Sequence, residues 1–139
     1  MNKKVWVGAI AVFVVVFVVE YIVNNFLMMS VYQQTASLWR PPEEMKFGVM
    51  IICWLFFSFF FTFIFSKGYE GKGIMEGVRY GFYVAMMMVV PVAYMTYATM
   101  PVPYALSLQW FIYGTVEDIL AGVVLALVFG KKPAPAPAA

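Results

Sequence analysis

Residues 104–129 read YALSLQWFIYGTVEDILAGVVLALVF, and this apolar run decides the fold of the chain. An α-helix rises about 1.5 Å per residue, so roughly 20 apolar residues cross the hydrocarbon core of a bilayer. Three further apolar runs lie at about residues 5–31, 47–65 and 78–97. We therefore expect residues 1–132 to form an all-α, integral membrane four-helix bundle, followed by a Pro/Ala-rich tail at residues 133–139.

The composition supports this class and excludes several others. Of the 139 residues, 64% are hydrophobic and 12% are charged, which is more apolar than a soluble core of this size can hide. The net charge of +2 gives no basic domain for nucleic acid. The chain has no histidine and one cysteine, so it lacks the commonest metal ligand and general base. We expect no enzyme activity, no cofactor and no metal centre.

The basic residues are distributed unequally between the two ends of the predicted spans. Lysine and arginine favour the cytoplasmic side of a membrane protein. Two basic residues fall on one side, Arg40 and Lys46, and seven on the other: Lys3, Lys4, Lys67, Lys72, Arg79, Lys131 and Lys132. This bias predicts a multi-pass protein of the bacterial inner membrane with both termini in the cytoplasm. Aromatic residues near the span ends fit interfacial belts, among them Tyr32, Trp39 and Trp110.

Small residues recur every fourth position in the third and fourth spans. Residues four apart lie on one face of a helix, and small side chains let membrane helices approach closely. The short corner at residues 99–103 would make these two spans antiparallel neighbours. We expect them to pack through two ridges, formed by Gly77, Gly81 and Ala85 on one helix and by Gly114, Gly122 and Ala126 on the other.

Three carboxylates, Glu20, Glu117 and Asp118, lie deep within apolar runs. A charge at such a depth costs about 3 kcal/mol on insertion scales, so acids there usually face a protein interior. Asp118 would lie level with the turn that contains Gly81 in the neighbouring span. We predict a structural ion pair between Asp118 and Arg79, assisted by Tyr80 or Tyr83.

The two glutamates lie at similar depth, about 20 Å from the lysine-rich ends of their spans. Polar residues one turn away, and one in the second span, complete a predicted intramembrane polar cluster of Glu20, Asn24, Ser58, Tyr113 and Glu117. Three interpretations stay open for this cluster. Both acids are protonated and hydrogen-bonded, or they form a proton or cation site, or they contact a lipid, a cofactor or a partner subunit.

Several short motifs resemble those of a group of small bacterial four-span proteins of unknown function. The motifs are Tyr32-Gln33 with Trp39-Arg40-Pro41, then residues 76–81 (EGVRYG), and then Gln109-Trp110 with Glu117 and Gly122. The resemblance covers most of the chain and implies no activity. A glutamate in the first of four spans is also similar to the small multidrug resistance transporters, although the acids of the fourth span have no counterpart there.

Two functions follow from these features. The first is a non-catalytic accessory subunit of a larger membrane complex, such as a respiratory or photosynthetic one, in contact with lipids and with other integral membrane subunits. Its basis is the small size of the loops, the extended tail and the aromatic surface. The second is a small proton- or cation-coupled transporter that uses Glu20 and Glu117. Assembly with further copies of the same chain is compatible with both.

Overall fold

The computed structural model describes residues 1–137, and all regular structure in this range is helical. Residues 138 and 139, the end of the predicted tail, lie outside the described residues. Five α-helices follow one another along the chain: α1 (Lys3–Ile22), α2 (Met29–Gln34), α3 (Phe47–Gly68), α4 (Ile74–Thr99) and α5 (Tyr104–Phe129). Four helical segments are long and apolar enough to cross a membrane. The expectation of an all-helical chain with four such segments is confirmed.

The first of these segments is not a regular helix to its end. The α-helix α1 stops at Ile22, and a π-helical turn, Val23–Leu27, continues it. In this turn the Met28 amide donates to the Val23 carbonyl, five residues earlier, at 2.8 Å. The chain bends at Met28 and continues as the short helix α2. The predicted run at residues 5–31 is therefore divided into two helices, with an irregular turn between them.

The close antiparallel contact between α4 and α5 is the tightest in the fold. A Cβ atom added to Gly77 would collide with the backbone of Gly122, and one added to Gly122 would collide with Gly77. One turn along, a Cβ on Gly81 would meet the backbone of Asp118. Gly77 lies against Gly122 and Gly81 against Asp118, which fixes the register of the two helices.

The other members of the predicted ridges surround this backbone contact. Ala85 is fully buried. The Ala126 methyl group lies 2.9 Å from the position that a Cβ on Gly77 would take. Gly114 faces the side chain of Val89 rather than the backbone of α4. The two ridges thus meet, and the distance between the helices is smallest in the half nearer to Gly77.

Helix α1 packs in an antiparallel orientation against both α3 and α5. Gly8 faces the side chains of Thr62 and Leu125, and Phe17 meets Trp54 edge-on with ring centroids 5.8 Å apart. The buried residues of α3 all lie in its second half: Ser58, Phe61, Thr62 and Phe65. The first half of α3, by contrast, is largely exposed. Helix α3 therefore packs most closely at the lysine-rich end of the bundle, the end that carries Lys4, Lys67 and Lys132, while its first residues, 47–53, are all exposed.

Two separate apolar clusters form the core. The larger cluster joins α1, α3 and α5 in the half nearer to the lysine-rich end, and its buried members are Val5, Val12, Val16, Phe61, Phe65, Ala121, Leu125 and Phe129. The smaller cluster lies at the opposite end and is formed by Met28, Val31, Val102 and Leu106. Glu20 and Glu117 fall between the two clusters in the sequence of their helices.

The α4–α5 contact gives a direct test of the fold. Gly81→Leu and Gly122→Leu each place a side chain against backbone atoms of the neighbouring helix, which would have to move away. We therefore expect each substitution to lower stability by about 1–3 kcal/mol. Gly48→Leu is the matched control, because nothing lies within 4 Å of a Cβ at Gly48. Thermal unfolding in detergent measures the difference. Equal melting temperatures for all three variants would show that α4 and α5 are not in contact.

Candidate functional site

A small cavity lies between α1, α2 and α5, and its walls carry two carboxyl groups. Its volume is about 120 Å³. The lining residues come from the end of α1, the π-helical turn, α2 and the middle of α5: Glu20, Val23, Asn24, Met28, Tyr32, Trp110, Tyr113, Gly114 and Glu117. Four of the five residues of the predicted polar cluster therefore line one cavity.

Asn24 holds the Glu20 side chain in place. Its amide nitrogen donates to the Glu20 carboxylate and also to the Glu20 backbone carbonyl, the latter at 2.9 Å. Asn24 lies within the π-helical turn, where the helix is wider than an α-helix and its backbone bonding is rearranged. Such turns occur frequently at functional sites, because they redirect side chains and loosen the backbone ladder. Here the turn brings an amide and a carboxylate to the same wall.

Glu117 reaches the cavity from α5 without a fixed partner. Within residues 1–137 its carboxyl group accepts no hydrogen bond and forms no ion pair, since the one ion pair in that range joins Lys72 to Glu70. Tyr113 lies one turn earlier on the same face of α5 and lines the same cavity. The cavity therefore contains one oriented carboxyl group and one that is free to accept a proton or a cation.

Aromatic side chains close the cavity on the side of the smaller cluster. The Trp110 indole nitrogen donates to the Tyr32 hydroxyl at 2.8 Å. Trp39 packs edge-on against both rings, with centroid distances of 5.7 Å to Tyr32 and 5.9 Å to Trp110. The Trp39 indole nitrogen in turn donates to Thr35 at 2.9 Å. We call Tyr32, Trp39 and Trp110 the aromatic lid.

The protonation state of Tyr32 suits this lid. Burial raises the pKa of the Tyr32 phenol above its ordinary value, and the hydrogen bond from Trp110 lowers it by less. The phenol therefore stays neutral at physiological pH. Its oxygen accepts from Trp110, which leaves its proton available to a group inside the cavity.

The size of the cavity limits what it can bind. Pockets for drug-sized organic ligands are typically about 300–1,000 Å³, well above the volume found here. A water molecule occupies about 30 Å³ in the liquid, so the cavity has room for a few waters or a small cation with part of its hydration shell. All the polar lining atoms suited to a cation are hard oxygens, and no group of three or more His, Cys, Asp or Glu side chains occurs in the described part of the chain. The chemistry fits a proton or a simple cation better than a transition metal.

Ser58 does not reach this cavity, and the prediction that includes it in the polar cluster is corrected. The contacts of Gly8 with Thr62 and of Phe17 with Trp54 set the register of α1 against α3. In that register Ser58 lies near residue 12 of α1, about 12 Å along the helix from Glu20. Its side chain is buried, and its hydroxyl has no hydrogen-bond partner among the described residues.

The predicted ion pair between Arg79 and Asp118 is absent from residues 1–137. Asp118 does lie level with Gly81 and is buried, but Arg79 is exposed. Residues two apart on a helix point in different directions, so the face of Gly81 that meets α5 carries neither Arg79 nor Tyr83. Tyr80 donates its hydroxyl to the Phe61 carbonyl at 2.6 Å instead. The prediction considered depth along the helix and neglected rotation about its axis.

Neither the aromatic lid nor the π-helical turn was predicted as part of the site. Tyr32, Trp39 and Trp110 are aromatic residues near the ends of predicted spans, a position that is typical of interfacial belts. In the structure these three side chains also pack on one another. The adjacent pair Asn24-Asn25 was a signal for the turn, because asparagine is a poor helix former whose side chain competes for backbone hydrogen bonds.

Comparison with known proteins identifies no relative of this chain. No protein-family model, no curated protein and no solved structure matches the chain. The fold and the site define an all-helical chain with four helices of membrane-spanning length and a small cavity lined by two carboxyl groups.

The corrected environment of Arg79 gives a testable expectation. Because Arg79 is exposed and forms no ion pair with the residues that the structure describes, Arg79→Gln should change stability by less than about 0.5 kcal/mol. Tyr80→Phe removes a hydrogen bond to Phe61 and should cost about 1 kcal/mol. Unfolding in detergent compares the two. A loss of stability of about 3 kcal/mol or more for Arg79→Gln would contradict this expectation and support a buried ion pair between Arg79 and Asp118.

Proposed function

We propose that this chain is a small membrane transporter coupled to protons or to a simple cation, with Glu20 and Glu117 as the coupling residues. The observation that carries the proposal is the shared cavity, which two carboxyl groups from different helices line and whose lining residues include no lysine or arginine. A coupling residue must bind and release its ion, and a fixed ammonium or guanidinium partner would prevent this.

The walls of the cavity support the same proposal. The large apolar cluster separates the glutamates from the lysine-rich end, while the aromatic lid separates them from the opposite end. Irregular backbone at membrane depth, where it lines a cavity, is a recurring feature of ion-coupled transporters. The π-helical turn Val23–Leu27 ends the first long helical segment and contributes Val23 and Asn24 to the cavity, and its rearrangement would move Asn24 relative to Glu20. Opening of the lid would give one side access to the site.

We further propose a bacterial inner-membrane location with both termini in the cytoplasm. The support is the distribution of the nine basic residues, seven of which belong to segments at one end of the four long helices. The Lys4 ammonium donates to the carbonyl of Phe129 at 2.7 Å, and the Lys132 amide donates to Gly71 at 3.2 Å. The start of α1, the α3–α4 loop and the end of α5 therefore lie together, as the charge rule requires for a single cytoplasmic face.

An accessory subunit is the second candidate, and a different observation favours it. The first half of α3 is exposed and has no buried residue, so one side of the bundle is incomplete away from the lysine-rich end. A neighbouring membrane subunit could cover this part of α3. Purification in a mild detergent separates the candidates, because an accessory subunit leaves the membrane with a larger complex and a transporter leaves it alone or with its own copies.

Vesicles that contain the purified protein and a dye sensitive to H⁺, Na⁺ or K⁺, one ion in each experiment, test the transport proposal. We expect wild-type protein to dissipate a gradient of H⁺, Na⁺ or K⁺, and Glu20→Gln and Glu117→Gln to reduce the rate to that of empty vesicles. Glutamine keeps the shape of the protonated acid, so both variants should fold normally. Glu44→Gln is the matched control, since Glu44 is exposed and does not line the cavity.

Two results would contradict the proposal. One is wild-type protein that moves none of the three ions, and the other is Glu20→Gln protein that retains the wild-type rate. Orientation is established in intact cells by a membrane-impermeant thiol reagent, with Cys53→Ser as background because Cys53 is exposed. Arg40→Cys should react from outside and Lys132→Cys only after lysis; the reverse pattern would reject the proposed orientation.

A further inference from the structure

A second and larger cavity lies at the lysine-rich end, between the start of α4 and the end of α5. Its volume is about 410 Å³, more than three times that of the glutamate cavity. The lining residues are Lys72, Gly73, Ile74, Met75, Ala126, Leu127, Gly130 and Lys131. Three of them are glycine or alanine, and their small size leaves the space open. The proposed transport site does not use this cavity.

The walls of the cavity are of two kinds. Ile74, Met75 and Leu127 form an apolar wall, and each has half or more of its side chain exposed on the outer surface of the bundle. Lys72 and Lys131 flank the opposite edge, where the helices end. An apolar surface next to two ammonium groups at a helix end matches the boundary between acyl chains and phosphate groups in a bilayer.

The positive charge at this edge is only partly neutralised. Lys72 pairs with Glu70, and this hydrogen bond and the Lys72 charge hold the pKa of Glu70 below its ordinary value. Glu76 accepts hydrogen bonds from the amides of Glu70 and Lys72, so its carboxylate faces the loop backbone. Lys131 forms no ion pair within the described residues. An anion can therefore add to this edge without displacing a carboxylate from Lys131.

Hydrogen bonds join the α3–α4 loop to the end of α5 and the residues that follow it. The Tyr69 hydroxyl donates to the carbonyls of Phe129 and Gly130, and the Lys132 ammonium donates to the Tyr69 carbonyl at 3.2 Å. Gly71 has a φ of +80°, and a Cβ there would collide with the Lys132 side chain. These contacts hold Lys72 and Lys131 on the same cavity before any ligand binds, which lowers the ordering cost of binding.

We propose that this cavity binds a phosphate-bearing anion, with the phosphate between Lys72 and Lys131. Two sources supply this chemistry: the headgroup of an anionic phospholipid, whose acyl chains would cover Ile74, Met75 and Leu127, or a free phosphate from the aqueous phase. Basic pockets between membrane helices at the cytoplasmic surface are established sites for anionic lipid headgroups.

The test measures binding to the full-length protein in detergent by native mass spectrometry and by melting temperature. The probes are phosphatidylglycerol, phosphatidylcholine and inorganic phosphate. We expect phosphatidylglycerol to bind and to raise the melting temperature. Lys72→Gln and Lys131→Gln should each weaken this binding about fivefold, the effect of one basic residue near an anionic surface. The matched control is Lys3→Gln with Lys67→Gln, which removes the same charge from the same end outside the cavity.

Each outcome of the experiment decides the proposal. Loss of phosphatidylglycerol binding in the variant that combines Lys72→Gln with Lys131→Gln, but not in the control, supports the site and identifies a lipid as the source. Binding of inorganic phosphate that depends on the same lysines, without phosphatidylglycerol binding, supports the site and identifies a free anion. Equal binding of phosphatidylcholine, equal losses in the cavity and control variants, or no binding of either phosphate probe would overturn it.

Discussion

The backbone contact between α4 and α5 is the constraint on which the other features depend. Gly77 lies against Gly122 and Gly81 against Asp118, at distances that exclude any side chain at the three glycines. Because only a narrow range of rotations brings these glycines together, the contact fixes the rotation of α5 about its own axis. Every other residue of α5 then has a defined direction, which is how a packing feature determines the position of chemically active groups.

Glu117 illustrates this dependence. Glu117 comes one residue before Asp118, and the backbone of Asp118 contacts Gly81 of α4. Successive residues of an α-helix differ in direction by about 100° about the helix axis, so Glu117 points away from α4. That direction leads to α1, where the π-helical turn brings Asn24 and Glu20 to the same cavity. Trp110 and Tyr113 lie on the same face of α5 as Glu117, at helical spacing, and complete the wall. The site is thus a consequence of two backbone features, the close glycine contact and the wide turn.

Much of this arrangement could be predicted from the sequence, for identifiable reasons. Hydrophobic length gives the four long helices, and the repeat of small residues gives the pairing of α4 with α5. Equal depth in the bundle predicts that Glu20 and Glu117 lie near one another, and both line the same cavity. Depth alone was insufficient for Ser58 and for the pairing of Arg79 with Asp118. The position of Ser58 relative to Glu20 depends on the register between α1 and α3. The direction of the Arg79 side chain depends on the rotation of α4 about its axis. Neither quantity follows from the composition of one helix.

The π-helical turn and the aromatic lid mark a second limit. A π-helical turn depends on which carbonyl each amide selects, and the energy differences between these alternatives are small compared with tertiary packing. Tyr32 and Trp110 are far apart in sequence and hydrogen-bond because residues around α2 pack against the start of α5. Residue type predicts that they are membrane-interface anchors and gives no information on their contact with one another. Long-range contacts of this kind require the three-dimensional arrangement.

The central claim is that Glu20 and Glu117 share one cavity and exchange protons or cations as a pair. Infrared difference spectroscopy of the protein in vesicles measures this directly, by following carboxyl bands during pH or cation titration. Interacting acids titrate as a pair, so replacing one must change the titration midpoint of the other. Our account predicts that Glu20→Gln shifts the midpoint of the band that disappears in Glu117→Gln. Identical midpoints for Glu117 with and without Glu20 would contradict it.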